Sequence, residues 1–159
     1  MTGPSAAASI AISASCADVY ALITDLPTMA TLAEEADAMV WHRGAGASPG
    51  AVFKGHNTNR GKTWTTKCTV TDAEPGRVFA FDVRTAGIVP VAHWRYDIEP
   101  IDGGCRVTEQ TWDRRPGWIR KPAELTTGVS DRTAENAKNI ELTLQRLKAR
   151  AEAGPTAAR

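Results

Sequence analysis

Between residues 37 and 113 apolar and polar positions alternate in short runs, each closed by a stretch rich in glycine, proline or small polar residues. A two-residue period predicts β-strands, and the regular turn signals predict an antiparallel meander. Six strands are expected, at 37–43, 51–57, 62–72, 77–84, 89–100 and 105–113. A seventh precedes them in "ASIAIS", where Ile10 and Ile12 alternate with small residues. Behind it Ser15 is placed to cap a helix carrying Val19, Tyr20, Leu22 and Ile23. Thr24 and Asp25 close that helix, and Pro27 suits the first turn of a second short one, followed by Glu34 and Glu35.

The last long element shows three-and-four spacing instead, through Ala134, Ala137, Ile140, Leu144, Leu147 and Ala151, with Ser130 available as cap. Charged Arg132, Glu135, Lys138, Glu141 and Lys148 take much of the remaining surface. Such a stripe must lie on something apolar, and the inner face of the sheet is the only candidate. The expected architecture is α+β: one strand, two short helices, six strands, one long helix. Residues 1–7 and 154–159 read as loose tails around a single domain at 8–153.

Parity sorts the strand residues into two faces. One face carries Met39 and Trp41; Phe53, Gly55 and Asn57; Trp64, Thr66, Cys68 and Val70; Phe79, Phe81 and Val83; Trp94, Tyr96 and Ile98; and Cys105, Val107, Glu109 and Thr111. The other carries the three histidines, His42, His56 and His93, with charges such as Lys54, Asp82, Arg95 and Asp97. Seven of the ten aromatic residues thus face a helix stripe that is half alanine. Two readings fit those rings, a plain aromatic core or the wall of a cavity. Polar Asn57, Thr66, Tyr96, Glu109 and Thr111 on the same face favour the cavity, because a buried polar group without a partner costs about 1–3 kcal/mol. A bulge that turns Glu109 out to solvent is the alternative.

Composition narrows the class. With 159 residues, 42% hydrophobic, 23% charged and a net charge of +1, the chain has the profile of a globular domain with no global field to attract nucleic acid. No run approaches the roughly 20 apolar residues of a membrane span, and the opening "MTGPSAAASIAIS" lacks a basic segment ahead of an apolar stretch, so a cytoplasmic location is expected. Cys16, Cys68 and Cys105 show neither paired nor metal-binding spacing and read as small, reduced, mostly buried side chains.

The run Gly50-x-x-Phe53-x-Gly55-x-Asn57, then Trp64, then "EPGRVFAF", then "WRYDIEP" and "GGCRVTEQTW", resembles the polyketide cyclase/dehydrase and lipid-transport group of the START-like (Bet v 1-like, SRPBCC) superfamily over roughly residues 8–152. The resemblance implies a helix-grip fold, in which a curved seven-stranded antiparallel sheet and two short helices enclose, with a long C-terminal helix, a deep and mostly apolar cavity. Leu32 stands where many relatives carry tryptophan in the second short helix, which implies a differently shaped entrance. Members of the superfamily carry lipids, cyclise polyketide chains, bind hormones or regulate chaperones, so the fold leaves function to the site.

A cyclase or dehydratase needs a proton donor near a carbonyl and a means of steadying an enolate, which makes Tyr96 and Glu109 the candidate catalytic pair. The expected ligand-binding set is Trp41, Phe53, Asn57, Trp64, Thr66, Phe79, Phe81 and Trp94. No P-loop, GxGxxG, GxSxG or HExxH pattern occurs, so neither a cofactor nor a metal is expected. "DRRPGWIRKPAEL" groups Arg114, Arg115, Arg120 and Lys121 around Trp118 and Ile119; it reads as an ordinary solvated connection with one aromatic packed down, or as a patch that steers a carboxylate ligand, an acidic acyl carrier protein or a membrane surface toward the cavity mouth. Three functions follow in order: binding of an apolar small molecule, polyketide cyclisation or dehydration, and a regulatory or toxin/antitoxin-like protein interaction through Trp112 and Trp118.

Overall fold

A computed structural model describes residues 3–44, 46–85, 88–118 and 131–154. Strand β1 (Ala6–Ile12) starts inside the stretch expected to be a loose tail, because Ser5, Ala6 and Ala7 are already bound to the end of the last strand. Helix α1 (Cys16–Thr24) is capped by Ser15, whose hydroxyl accepts from the Asp18 amide. Asp25 ends α1 and opens α2 (Leu26–Leu32), with Pro27 in its first turn, where a missing N–H costs nothing.

The meander follows as β2 (Ala36–Arg43), β3 (Val52–Asn59), β4 (Lys62–Glu74), β5 (Val78–Thr85), β6 (Val89–Ile101) and β7 (Gly104–Asp113). All pairs are antiparallel in the order β1-β7-β6-β5-β4-β3-β2, so β1 and β2 are the sheet edges. Register shifts interrupt β2 at Ala36/Ala38 and Trp41/Arg43, β4 at Val70/Asp72 and β6 between Pro90 and Ala92, opposite Arg84 and Val83 of β5. Extra residues of this kind bend a strand and sharpen its twist, which lets the sheet curl around a helix. β1 crosses so close to β7 that a side chain on Gly104 would sit 2.0 Å from the Ile12 carbonyl oxygen.

The long C-terminal helix, α3 (Arg132–Glu152), is capped by Asp131, whose carboxylate accepts from the Ala134 amide. Ser130, the residue expected there, lies outside the described residues. Ile140, Leu144 and Leu147 of α3 pack with Val19, Ile23, Phe53, Phe79 and Val107 into one core. Arg146 ties the helix to α2 by donating to the Leu32 carbonyl at 3.1 Å and pairing with Glu34 at 2.8 Å.

The inner face of α3 differs from the expected alanine-rich stripe. Ala134 and Ala137 are exposed, while Asn136, Asn139 and Thr143 are buried beside Ile140 and Leu144. At 3.6 residues per turn Ala134 lies roughly 110° round the helix from the centre of the Ile140–Leu144–Leu147 line, and Asn136 roughly 50° from it on the other side. The first half of α3 therefore presents amides and a hydroxyl to the sheet.

Candidate functional site

Sheet and helices do not close on each other completely; between them lies a cavity of about 400 Å³. Its wall is built from the concave side of β3 to β7, with Phe53, Gly55 and Asn57, Trp64, Thr66 and Cys68, Phe79 and Phe81, Trp94 and Tyr96, and Glu109. Leu26 and Met29 of α2 and Arg132, Asn136, Asn139 and Thr143 of α3 face them across the space. Phe53, Phe79 and Phe81 form a continuous ring surface, with centroids 5.1 Å apart for Phe53–Phe81 and 5.4 Å for Phe79–Phe81. Large rings opposite short polar side chains leave the volume unfilled.

Of the ten residues singled out from sequence, nine line this cavity. Trp41 does not: it is the register partner of Phe53 on the edge strand, on the expected face, and its ring packs edge-on against Phe53 at 5.5 Å and against the core, outside the lining. Leu32, expected to shape the entrance, is likewise a buried core residue away from the lining.

Tyr96 and Glu109 are register partners on β6 and β7, and the tyrosine hydroxyl donates to Glu109 Oε1 at 2.7 Å. The second carboxyl oxygen, Oε2, is buried without a hydrogen-bond partner. Burial pushes the Glu109 carboxyl up to about 8 against the lowering effect of the Tyr96 hydrogen bond, so the group holds its proton at neutral pH. Burial, and then the neighbouring carboxyl, raise the Tyr96 phenol well above its ordinary value. Asn57 donates to the Gly55 carbonyl at 3.4 Å and to the Thr66 hydroxyl at 3.3 Å, joining two of the polar wall positions. Burial also pushes the Cys68 thiol up to about 12, so it stays a neutral part of the wall.

Where β3 turns into β4 and β5 into β6, the lining becomes charged. Arg132 pairs with Glu35 at 2.6 Å, both side chains being largely buried, and its guanidinium lies over Trp64 at 5.9 Å from the ring centroid. Asn139 and Asn59 donate to the two Glu35 carboxylate oxygens at 3.2 and 3.1 Å. Arg115 binds Asp113 through two contacts of 3.0 and 2.8 Å, and both residues reach the cavity. Reading the sequence by strand parity alone missed these groups, and Arg132 was assigned to solvent. The usable signal was the helical line Arg132, Asn136, Asn139, Thr143, parallel to the apolar one.

The convex face holds a separate cluster. His93 is 2.7 Å from Asp82 with its side chain only 13% exposed, and its ring lies 5.4 Å from that of Trp112. His93 is therefore packed rather than freely solvated, and Trp112 is half-buried rather than exposed. His42 and His56 are exposed as expected, and Trp118 is 73% exposed. Ile119, Arg120 and Lys121 of the basic segment lie outside the described residues. Among the described residues no group of three or more His, Cys, Asp or Glu side chains is arranged to hold a metal ion, and no helix is long and apolar enough to cross a membrane.

The family model described as polyketide cyclase / dehydrase and lipid transport matches residues 4–152. The chain belongs to this family. As a polyketide cyclase/dehydrase-family protein it shares the helix-grip, Bet v 1-like fold with many solved structures. A polyketide-cyclase-like protein of Corynebacterium glutamicum, solved by NMR, is 25% identical, covers 100% of this chain and 99% of its own, and superposes with a TM-score of 0.63. A Chromobacterium violaceum protein gives a TM-score of 0.70 at 13% identity, over 92% of this chain and 96% of its own. StfQ, a di-domain ARO/CYC of the steffimycin biosynthetic pathway, also gives 0.70, at 16% identity, over 92% of this chain and 50% of its own. Among curated proteins no significant match is found. The family's description spans both carriage and catalysis, so the cavity itself must discriminate between them.

Proposed function

We propose that the protein binds a hydrophobic small molecule, a lipid, polyketide or aromatic compound, inside the cavity. The observation that carries this reading is the unfilled volume of about 400 Å³ walled by Phe53, Phe79, Phe81, Trp64 and Trp94. Apolar space of that size with a few inward polar groups is the usual make-up of a small-molecule site. Native mass spectrometry of protein purified from its own host tests it: a retained ligand, or uptake from a panel of lipids and polycyclic aromatics, is expected. Absence of both overturns it.

A second reading is favoured by the Tyr96–Glu109 pair, that of a polyketide cyclase or dehydratase acting on a poly-ketone. The neutral Glu109 carboxyl is suited to protonate a substrate ketone oxygen as an enol carbon bonds to the ketone carbon and the C=O π pair moves to that oxygen, and its conjugate base to take up the proton released from carbon. Tyr96 holds the carboxyl in position through Oε1. A poly-ketone delivered on an acyl carrier protein would meet Arg114, whose side chain is 52% exposed beside cavity-lining Arg115. If Tyr96→Phe and Glu109→Gln both leave product formation from a poly-ketone surrogate unchanged, these roles are wrong.

A further inference from the structure

Two cavity-lining side chains end in a buried oxygen that receives no hydrogen bond from the described residues: Glu109 Oε2 and Asn139 Oδ1. Their chemistry is opposite. Tyr96 already donates to Glu109 Oε1, which makes Oε1 the carbonyl-like oxygen of the acid and leaves the acid proton on Oε2, a donor without an acceptor. Asn139 is fixed in the other sense. Its Nδ2 donates to Glu35 Oε1 at 3.2 Å, and turning the amide over would set two acceptors against each other at that distance, so Oδ1 stays an acceptor without a donor.

Among the described residues, the positive charges that line the cavity are, by contrast, already satisfied. Arg132 is neutralised by Glu35 at 2.6 Å and Arg115 by Asp113 at 2.8 Å, each pair largely buried. An anionic head group would have to break one of these pairs and leave a carboxylate uncompensated.

Building on the small-molecule reading above, we infer that the site selects an uncharged, ring-containing hydroxy-ketone, whose carbonyl accepts from Glu109 Oε2 and whose hydroxyl donates to Asn139 Oδ1. A hydrocarbon leaves both oxygens unmatched, a simple quinone leaves one, and a fatty acid or other carboxylate meets paired arginines. Leaving a buried polar atom unmatched is where such sites gain most of their discrimination.

Four probes of one shape test this: anthracene, anthraquinone, anthraquinone with a hydroxymethyl group on an outer ring, and anthraquinone carboxylate, each titrated at neutral pH against tryptophan fluorescence. The hydroxymethyl quinone is expected to bind roughly tenfold tighter than anthraquinone, and anthraquinone tighter than anthracene, with the carboxylate weakest among the quinones. Asn139→Leu should erase the advantage of the hydroxymethyl group, while Asn136→Leu, at a neighbouring lining position, should keep it. Glu109→Leu should erase the preference for quinone over anthracene, and Glu109→Gln, which retains a donor, should keep it. Equal affinity of all four probes in the unaltered protein, or tightest binding of the carboxylate, overturns the inference while leaving the cavity a binding site. Failure of every probe to bind counts against the small-molecule reading itself.

Discussion

Tyr96 and Glu109 meet across neighbouring strands at 2.7 Å, with only 4% and 2% of their surfaces exposed, so one carboxyl proton is held inside the sheet's concave wall. The folded chain binds that proton up to about pH 8, whereas an unfolded glutamate releases it near 4.5. Stability contributed by Glu109 is therefore complete below about 4.5, falls as pH rises through the window up to 8, and is flat beyond it. The slope within the window is on the order of 1.4 kcal/mol per pH unit. Urea unfolding of the natural protein and of Glu109→Gln across this range should show the variant gaining relative stability as pH rises. A difference between them that does not change with pH would contradict the buried neutral acid.

Gly104 permits the close crossing of β1 over β7. Alanine there would place its Cβ 2.0 Å from the Ile12 carbonyl oxygen and 3.0 Å from Ser13 Cα, both backbone atoms that cannot rotate away. Gly104→Ala should cost more than about 3 kcal/mol in thermal or urea unfolding. Gly55→Ala meets only side-chain atoms, closest the Thr66 hydroxyl at 2.9 Å, which can turn aside, and Asn57 Nδ2 at 3.6 Å, so a smaller loss is expected there.

The rotated face of α3 gives a direct comparison. Ala137 is exposed and Leu147 fully buried, although both belong to the apolar series read from the sequence. Ala137→Gln should change stability by less than about 0.5 kcal/mol and Leu147→Ala should cost about 2–5 kcal/mol. Comparable losses for the two would mean that the helix is turned the other way.

Glu35 and Arg132 join the α2–β2 connection to the start of α3 with little solvent between them. Removing either partner leaves a largely buried charge, so Glu35→Gln or Arg132→Met alone should cost about 2 kcal/mol or more. The double variant should cost less than the sum, with a coupling of about 1 kcal/mol or more in the cycle. Simple additivity would show that the pair is solvated in solution.

The sheet was legible because each strand keeps a two-residue period for most of its length; Trp41 keeps the side that parity assigns it, against Phe53, but parity could not show that this position on the edge strand falls outside the cavity lining. The Tyr96–Glu109 contact followed from the same parity once β6 and β7 were adjacent. α3 was harder to read. Alanine counts as apolar by type, yet Ala134 and Ala137 contribute too little to set the helix rotation against Ile140, Leu144 and Leu147. Glu35, Arg132 and Asn139 depended on that rotation and on a contact spanning 104 residues, which no local pattern encodes.

The two irregularities in β2 also govern what the open margin of the sheet can do. An unbroken outer strand offers a straight row of amides and carbonyls on which a further chain can template itself. Interrupted at Ala36/Ala38 and again at Trp41/Arg43, this margin offers no long run of evenly spaced groups, even though Val40 stands 63% exposed between the breaks. The same distortions that bow the wall around its contents thus act as a stop against fibrous growth.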